Sequence, residues 1–177
     1  MKSNWRIILA GLLFGASIWM FALSRMPRDV PAWHENTEAG FRIEPPAGWT
    51  SRTDDADGSQ IAPPAQPDDG FAMLIVTTRL AHGENPMGYL LDVANRPAVG
   101  PIRELEWLRK ERVELKDGGP GSLGEFTEIY RGQPVHGWMV FAVREGRVLQ
   151  AVGTVPEAYA EGIEGTMIQS LLSLHPL

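Results

Sequence analysis

Histidine is the side chain that most often supplies acid–base or metal chemistry near neutral pH, and the chain has four: His34, His82, His136 and His175. They are widely separated, with no i, i+4 pair and no short metal-ligand spacing, so each reads as a structural or solvent-facing imidazole. A catalytic role would rest on His136 or His82 finding carboxylates in space, and no nucleophile motif or G-x-S-x-G elbow stands beside either. Residues 119–124 match G-x-G-x-x-G in letters, but they precede a strand-like stretch instead of opening a helix after one, so they read as a turn. Asp55, Asp57 and Ser59 have calcium-loop spacing. Gly58 sits at the fourth place of that loop instead of the sixth, and no glutamate closes it at the twelfth, so it reads as a solvated acidic loop. No catalytic, cofactor-binding or metal-binding residue is expected, and no cofactor.

With no cysteine, the chain has no disulfide framework, thiolate zinc site, cysteine nucleophile or lipidated N-terminal cysteine. The net charge is −6, and beyond residue 39 there are 12 basic and 19 acidic side chains, a net of −7. A domain of that sign repels phosphate backbones and anionic headgroups, so nucleic acid is not an expected partner and membrane contact falls to another segment.

That segment is Ile7 to Ser24, eighteen residues without a formal charge, able to span about 27 Å as a helix. Trp5 at one end and Trp19 and Phe21 near the other suit the headgroup level, and Lys2, Arg6, Arg25 and Arg28 bracket the run. Residues 1–24 therefore read as a transmembrane anchor. The competing reading is a cleaved signal peptide, whose apolar region is usually shorter; the one small-x-small site, Ala22 to Ser24, is followed by Arg25. Flanking charge is nearly balanced, and we expect the N-terminus in the cytoplasm of a bacterial cell, with the rest beyond the inner membrane. Gly11 and Gly15 form a G-x-x-x-G step, either a seam for another membrane helix or the ordinary glycine content of such helices.

Residues 25–39, with two prolines and mixed charge, read as a juxtamembrane linker in which Trp33 is the one large apolar ring beyond the anchor, placed to dock on its own domain or on a neighbouring subunit. Residues 40–177 read as one globular domain large enough to bury about two-thirds of its unfolded surface. Phe41 and Ile43 alternate as a short strand, and Trp49 resumes an extended segment to complete a first hairpin. Residues 53–70 are mostly acidic surface loop, with only Ser59 to Ala62 strand-like between its ends. Phe71 to Thr78 is an unbroken apolar and β-branched run, the pattern of a central strand covered on both faces. Asn85 and Pro86 open a helix that Arg96 and Pro97 stop. Ile102, Leu105 and Leu108 have helical spacing while Val113 and Leu115 alternate like a strand, and both readings stay open. Leu123–Arg131, Val135–Arg144 and Arg147–Val155 form an antiparallel meander. Thr154 and Glu157 have capping-box spacing before a last helix over 156–174, with Ile163, Met167, Leu171 and Leu174 on one face.

The opening from Gly40 through Pro45, Pro46 and Gly48 to Trp49, together with Tyr130, Trp138, the hairpin at Glu145 and Gly146, Pro156 and a closing helix through Ser170 to Leu174, resembles the PsbP-like domain family over residues 40–175. The resemblance implies an α+β fold, an antiparallel sheet sandwiched by helices, here preceded by a transmembrane helix. It also implies a family of extrinsic, mostly non-catalytic subunits and binding modules, among them a photosystem accessory protein and Ran-binding relatives. No set of histidines or aspartates carries over a metal or chloride role.

The expected function is a non-enzymatic, membrane-anchored accessory subunit that stabilises a multi-subunit membrane complex, a photosynthetic one by the resemblance. Its partners would be integral membrane subunits, with Trp5, Gly11, Gly15, Trp19, Phe21 and Trp33 as contacts and residues 7–24 in the bilayer. Two other readings stay open: a free-standing anchored binding module, and a small anchored hydrolase.

Overall fold

The computed structural model describes residues 33–65, 72–83, 85–96 and 102–177, and Ala32–Leu177 forms one compact unit. The anchor expected over Ile7 to Ser24, with Trp5, Gly11, Gly15, Trp19 and Phe21, lies outside the described residues, as does residue 71. Among the described residues no helix is long and apolar enough to cross a membrane.

Among the described residues, ten strands make two antiparallel sheets. The first three are β1 (His34–Asn36), β2 (Phe41–Ile43) and β3 (Thr50–Asp55), followed by β4 (Gly58–Ala62) and β5 (Met73–Leu80). After helix α1 (Pro86–Ala94) come β6 (Ile102–Glu114), β7 (Pro120–Tyr130), β8 (Gln133–Arg144) and β9 (Arg147–Pro156). A short 3-10 turn (Glu157–Tyr159), helix α2 (Ala160–Leu172) and β10 (His175–Pro176) end the chain. The large sheet has the order β3-β4-β5-β9-β8-β7-β6 and the small one β1-β2-β10.

The meander is built by its turns. Arg131 and Gly132 have φ of 53° and 84°, Glu145 and Gly146 of 48° and 73°, and two successive positive φ values make the two-residue turn whose twist matches the flanking strands. Strand alternation then divides the core. Trp138, Val140 and Ala142 of β8 point to a face shared with Met167 and Leu171 of α2 and with Phe41 and Ile43 of the small sheet, all buried. Met139 and Phe141 point to the opposite face, where Leu90 of α1 is fully buried against Phe126 and Val148. The sheet is thus layered between helices. Asn85 caps α1 as its type predicts, its Oδ1 accepting from the Met87 amide at 3.1 Å, with Pro86 opening the first turn.

Several expectations are corrected. β2 pairs with β1 and β10 and not with β3, so no first hairpin forms. His34–Asn36 is a strand of the domain and Ala39 is buried, so the domain begins earlier than residue 40; the linker expected over 25–39 keeps only a part that lies outside the described residues. Ile102–Glu114 is one strand, at the sheet edge, with bulges between Arg103 and Glu106 and between Trp107 and Arg109, and Leu115 lies just beyond it. Residues 120–124 are strand rather than turn: a Cβ on Gly124 would stand 2.5 Å from the Trp107 ring and 2.6 Å from Leu90, so the glycine serves packing. β9 runs through Pro156, which holds Thr154 in the ladder opposite Met73, so no capping box precedes α2. β5 lies inside the sheet between β4 and β9, but Leu74 and Val76 are buried on one face only, while Met73 and Ile75 are half-exposed on the other.

Candidate functional site

Three of the four histidines sit in polar clusters created by strand pairing. His34 of β1 reaches the β3–β4 hairpin, where its Nε2 lies 3.1 Å from Ser59 Oγ and 3.1 Å from Asp54 Oδ1. The three residue types are those of a hydrolytic triad, but the wiring differs. A relay gives the hydroxyl and the carboxylate one ring nitrogen each, whereas here both meet the same nitrogen. Ser59 is buried, and its Oγ also accepts from Asn36 Nδ2 at 3.0 Å, while that amide nitrogen donates to the Asp55 and Gly58 carbonyls. The cluster ties the small sheet to the large one. Burial works to raise the Asp54 carboxyl, but hydrogen bonds from Ser59 and Ser51 and the His34 ring outweigh it and hold the group below the ordinary aspartate range.

The second cluster spans three strands and the turn before α2. His136 Nε2 is 2.9 Å from Glu125 Oε1 and its Nδ1 is 3.2 Å from Glu157 Oε2, while Arg109 Nε stands 3.1 Å from Glu125 Oε2. The imidazole lies against the buried Trp138 ring, with centroids 4.6 Å apart. These contacts join β6, β7 and β8 to the start of the last helix. The third cluster closes the β6–β7 turn: Asp117 accepts from the Gly119 amide at 2.9 Å, and His175 Nδ1 and Arg144 Nη2 approach at 3.2 and 3.6 Å. Burial opposes ionisation of Asp117, and the Gly119 amide, Arg144 and His175 together keep its carboxyl below the ordinary range. His82 is exposed beside α1, its backbone amide donating to Tyr89 Oη.

The acidic hairpin is a turn closed on itself, in which Asp55 Oδ1 accepts from the Asp57 and Gly58 amides at 3.0 Å each. Among the described residues no group of three or more histidines and carboxylates is placed to hold a metal ion. Trp33 is half-buried with the Arg42 guanidinium over its ring, 4.7 Å from the centroid, so it meets β2 of its own domain.

Glu128 stands apart. It is a buried carboxylate on β7 that takes part in no ion pair among the described residues, and burial raises its carboxyl above the ordinary value near 4.5. The sign of its effect follows. Below its unfolded-state value the group is protonated in both states and contributes nothing. As pH rises through that value toward the raised folded one, ionising it costs stability, and the full cost persists above. Glu128→Gln should therefore unfold at a higher temperature than the parent at pH 7 and at the same temperature near pH 3.5, measured by thermal denaturation; a variant that melts lower at pH 7 contradicts this. Asp54 and Asp117 have the opposite sign, and their contributions are lost as pH falls below the ordinary aspartate range.

The histidine clusters were hidden in the sequence because partners 25, 11 and 58 residues apart meet only through strand register. What remains as a candidate site is a surface. α1 is nine residues long, and beyond it β9, β5 and β4 present Val152, Ile75, Met73 and Gln60, all half-exposed, on the same face.

No protein-family model and no curated protein sequence matches the chain. Solved structures match its fold. The solution structure of cyanobacterial PsbP from Synechocystis aligns at a TM-score of 0.57 and 12% identity, over 85% of this chain and 96% of that one. A protein of unknown function from Pseudomonas aeruginosa, described as a putative regulator, aligns at 0.55 and 17%, over 82% and 96%. The Ran-binding protein Mog1p of Saccharomyces cerevisiae aligns at 0.55 and 12%, over 81% and 94%. The domain has the PsbP-like α+β fold.

Proposed function

We propose that this chain is a membrane-tethered accessory subunit whose PsbP-like domain binds and stabilises a multi-subunit membrane complex without taking part in its chemistry. The observation that carries the reading is the joining of two things in one chain. One is a domain whose fold is shared with a photosystem-related protein and a Ran-binding protein; the other is the uncharged run from Ile7 to Ser24, long enough to span a bilayer. A photosynthetic complex is the form suggested by the likeness to cyanobacterial PsbP, and fold alone leaves respiratory and transport complexes on the same footing.

Two further features support the reading. The Ser59, His34 and Asp54 cluster is wired as a structural tie, and the Glu125, His136 and Glu157 cluster joins β7 and β8 to the turn before the last helix. In this account the N-terminus lies in the cytoplasm, the run crosses the bacterial inner membrane, and the domain faces extrinsic loops of its partners. Helix and domain bind together, and the tether raises the domain's effective concentration at its site to roughly the millimolar range. Purification of the full chain in mild detergent, followed by mass spectrometry of the co-eluting proteins, tests this. A defined set of integral membrane subunits is expected, and a chain that elutes alone overturns it.

A further inference from the structure

The open face of the large sheet breaks the rule that governs antiparallel sheets facing water. Such sheets alternate apolar and polar residues so that the solvent side is polar, yet here the first half of β5 is apolar on both sides, with Thr77 and Arg79 following on the open one. Leu74 and Val76 fill the core, and Met73 and Ile75 stand half-exposed on the other side with Val152 beside them in register. Met139, on the next strand, is 7% exposed on the same face. Gln60 Nε2 donates to Met73 Sδ at 2.6 Å and Gln150 Nε2 to Met139 Sδ at 3.6 Å, so the polar residues of this face are turned onto the thioethers. The exposed floor thus carries Met73, whose flexible thioether accommodates varied apolar side chains, with Met139 buried at its margin.

The floor is the middle of a trough with charged ends. At one end Asp55 and Asp57 rise from the β3–β4 hairpin beside Gly58, Gln60 and Ile75; at the other, Arg52 and Arg131 stand by Gln60, Ala62 and Met73. Gln60 lines both halves, so the two depressions adjoin at its side chain. From Gly58 to Ala62 the run is five residues, about 16 Å along the strand. None of the four charged residues takes part in a salt bridge among the described residues. Arg52 Nη2 donates to the Pro63 carbonyl, and the Arg131 guanidinium lies over the Tyr130 ring. An apolar strip with acids at one end and arginines at the other specifies its occupant by charge and by polarity.

We infer that this trough docks a short segment of a partner protein, about five or six residues, with apolar side chains in its middle, a cationic residue at the end near Asp55 and Asp57, and an acidic residue at the end near Arg52 and Arg131. The inference rests on the reading of the chain as an accessory subunit and names the surface that the domain uses. Apolar contact supplies the attraction, and the two charged ends set the direction in which the segment lies. A segment with acids at both ends is repelled at the hairpin, and one with lysines at both ends is repelled at the arginines.

Three synthetic peptides test it against the full chain in detergent micelles, followed by amide chemical-shift titration. Each has four apolar residues in the middle. The first is flanked by two lysines and two glutamates, the second by glutamates at both ends, and the third by lysines at both ends. The first is expected to bind tightest, each lost charge pair costing roughly two- to fivefold, with shifts centred on Gln60, Met73, Ile75 and Val152. Asp57→Lys should erase the advantage over the doubly acidic peptide, and Arg131→Glu the advantage over the doubly basic one. Asp55 is left in place because it closes its own turn. Equal binding of all three, shifts centred elsewhere, no binding at millimolar peptide, or an unchanged ranking in both variants each overturns the inference. If the chain co-elutes with membrane subunits but shows any of those results, the trough assignment fails alone. If the ranking holds and the chain elutes without partners, it is the accessory-subunit reading that fails.

Discussion

Leu74→Ala is expected to cost about 2–5 kcal/mol of folding stability, and Ile75→Ala, one residue along, about 1 kcal/mol. Leu74 has no exposed surface and sits between Ile61 of β4 and Gly153 of β9, facing the cluster that holds Trp138, Met167 and Leu171. Truncating it leaves a cavity that the flanking strands, paired on both sides, cannot close. Ile75 points to the open face and is partly exposed, so its truncation gives up less buried surface and opens no enclosed cavity. Urea denaturation of the two variants beside the parent gives both values. Equal costs would mean that the face bearing Met73 and Ile75 is as buried as the other, which would also remove the basis for a docking trough.

The same strand shows how far sequence reasoning carries and where it stops. An unbroken apolar run from residue 71 to Thr78 predicts a strand inside a sheet, and β5 is one, because β-branched and apolar side chains in sequence favour a pleated, paired backbone. Whether an apolar side chain meets a core or solvent depends on what packs over it, and α1 packs over β7 and β8, meeting β5 where Tyr89 lies under the Arg79 guanidinium and not over Met73 and Ile75. α1 itself was legible because Asn85 and Pro86 act locally. β6 was ambiguous for a physical reason: its two bulges interrupt the two-residue period, leaving Leu108 half-exposed and Ile102, Leu105 and Leu108 at a spacing that imitates a helix. The split into two sheets was not legible either. β2 is three residues long, and its partners, β1 before it and β10 at the far end of the chain, are chosen by tertiary packing. The capping-box spacing at Thr154 failed because ladder pairing across β9 outweighs a local cap.

Removal of residues 1–28 is expected to move the domain from the membrane pellet to the supernatant and to strip it from its complex. The linkage supplies the size of the effect. Without the apolar run the domain, net −7 beyond residue 39, has only its own surface with which to bind and loses the effective concentration of a tethered module, on the order of a hundredfold or more in avidity. Gly11→Leu together with Gly15→Leu should loosen the complex less, because it disturbs one helix seam and leaves the tether intact. Fractionation and gradient sedimentation of the three forms rank these effects. A truncated chain that still sediments with membranes would place the attachment in the domain.

An accessory subunit of this kind is needed for the integrity of its complex and not for its chemistry. The most direct measurement compares the complex purified in mild detergent from cells with and without the gene, following subunit content, thermal stability and turnover per intact complex. The account predicts that, without the chain, peripheral subunits are lost and the assembly melts at a lower temperature, while turnover per intact complex is unchanged. A complex that keeps its full subunit set and its melting temperature would contradict it.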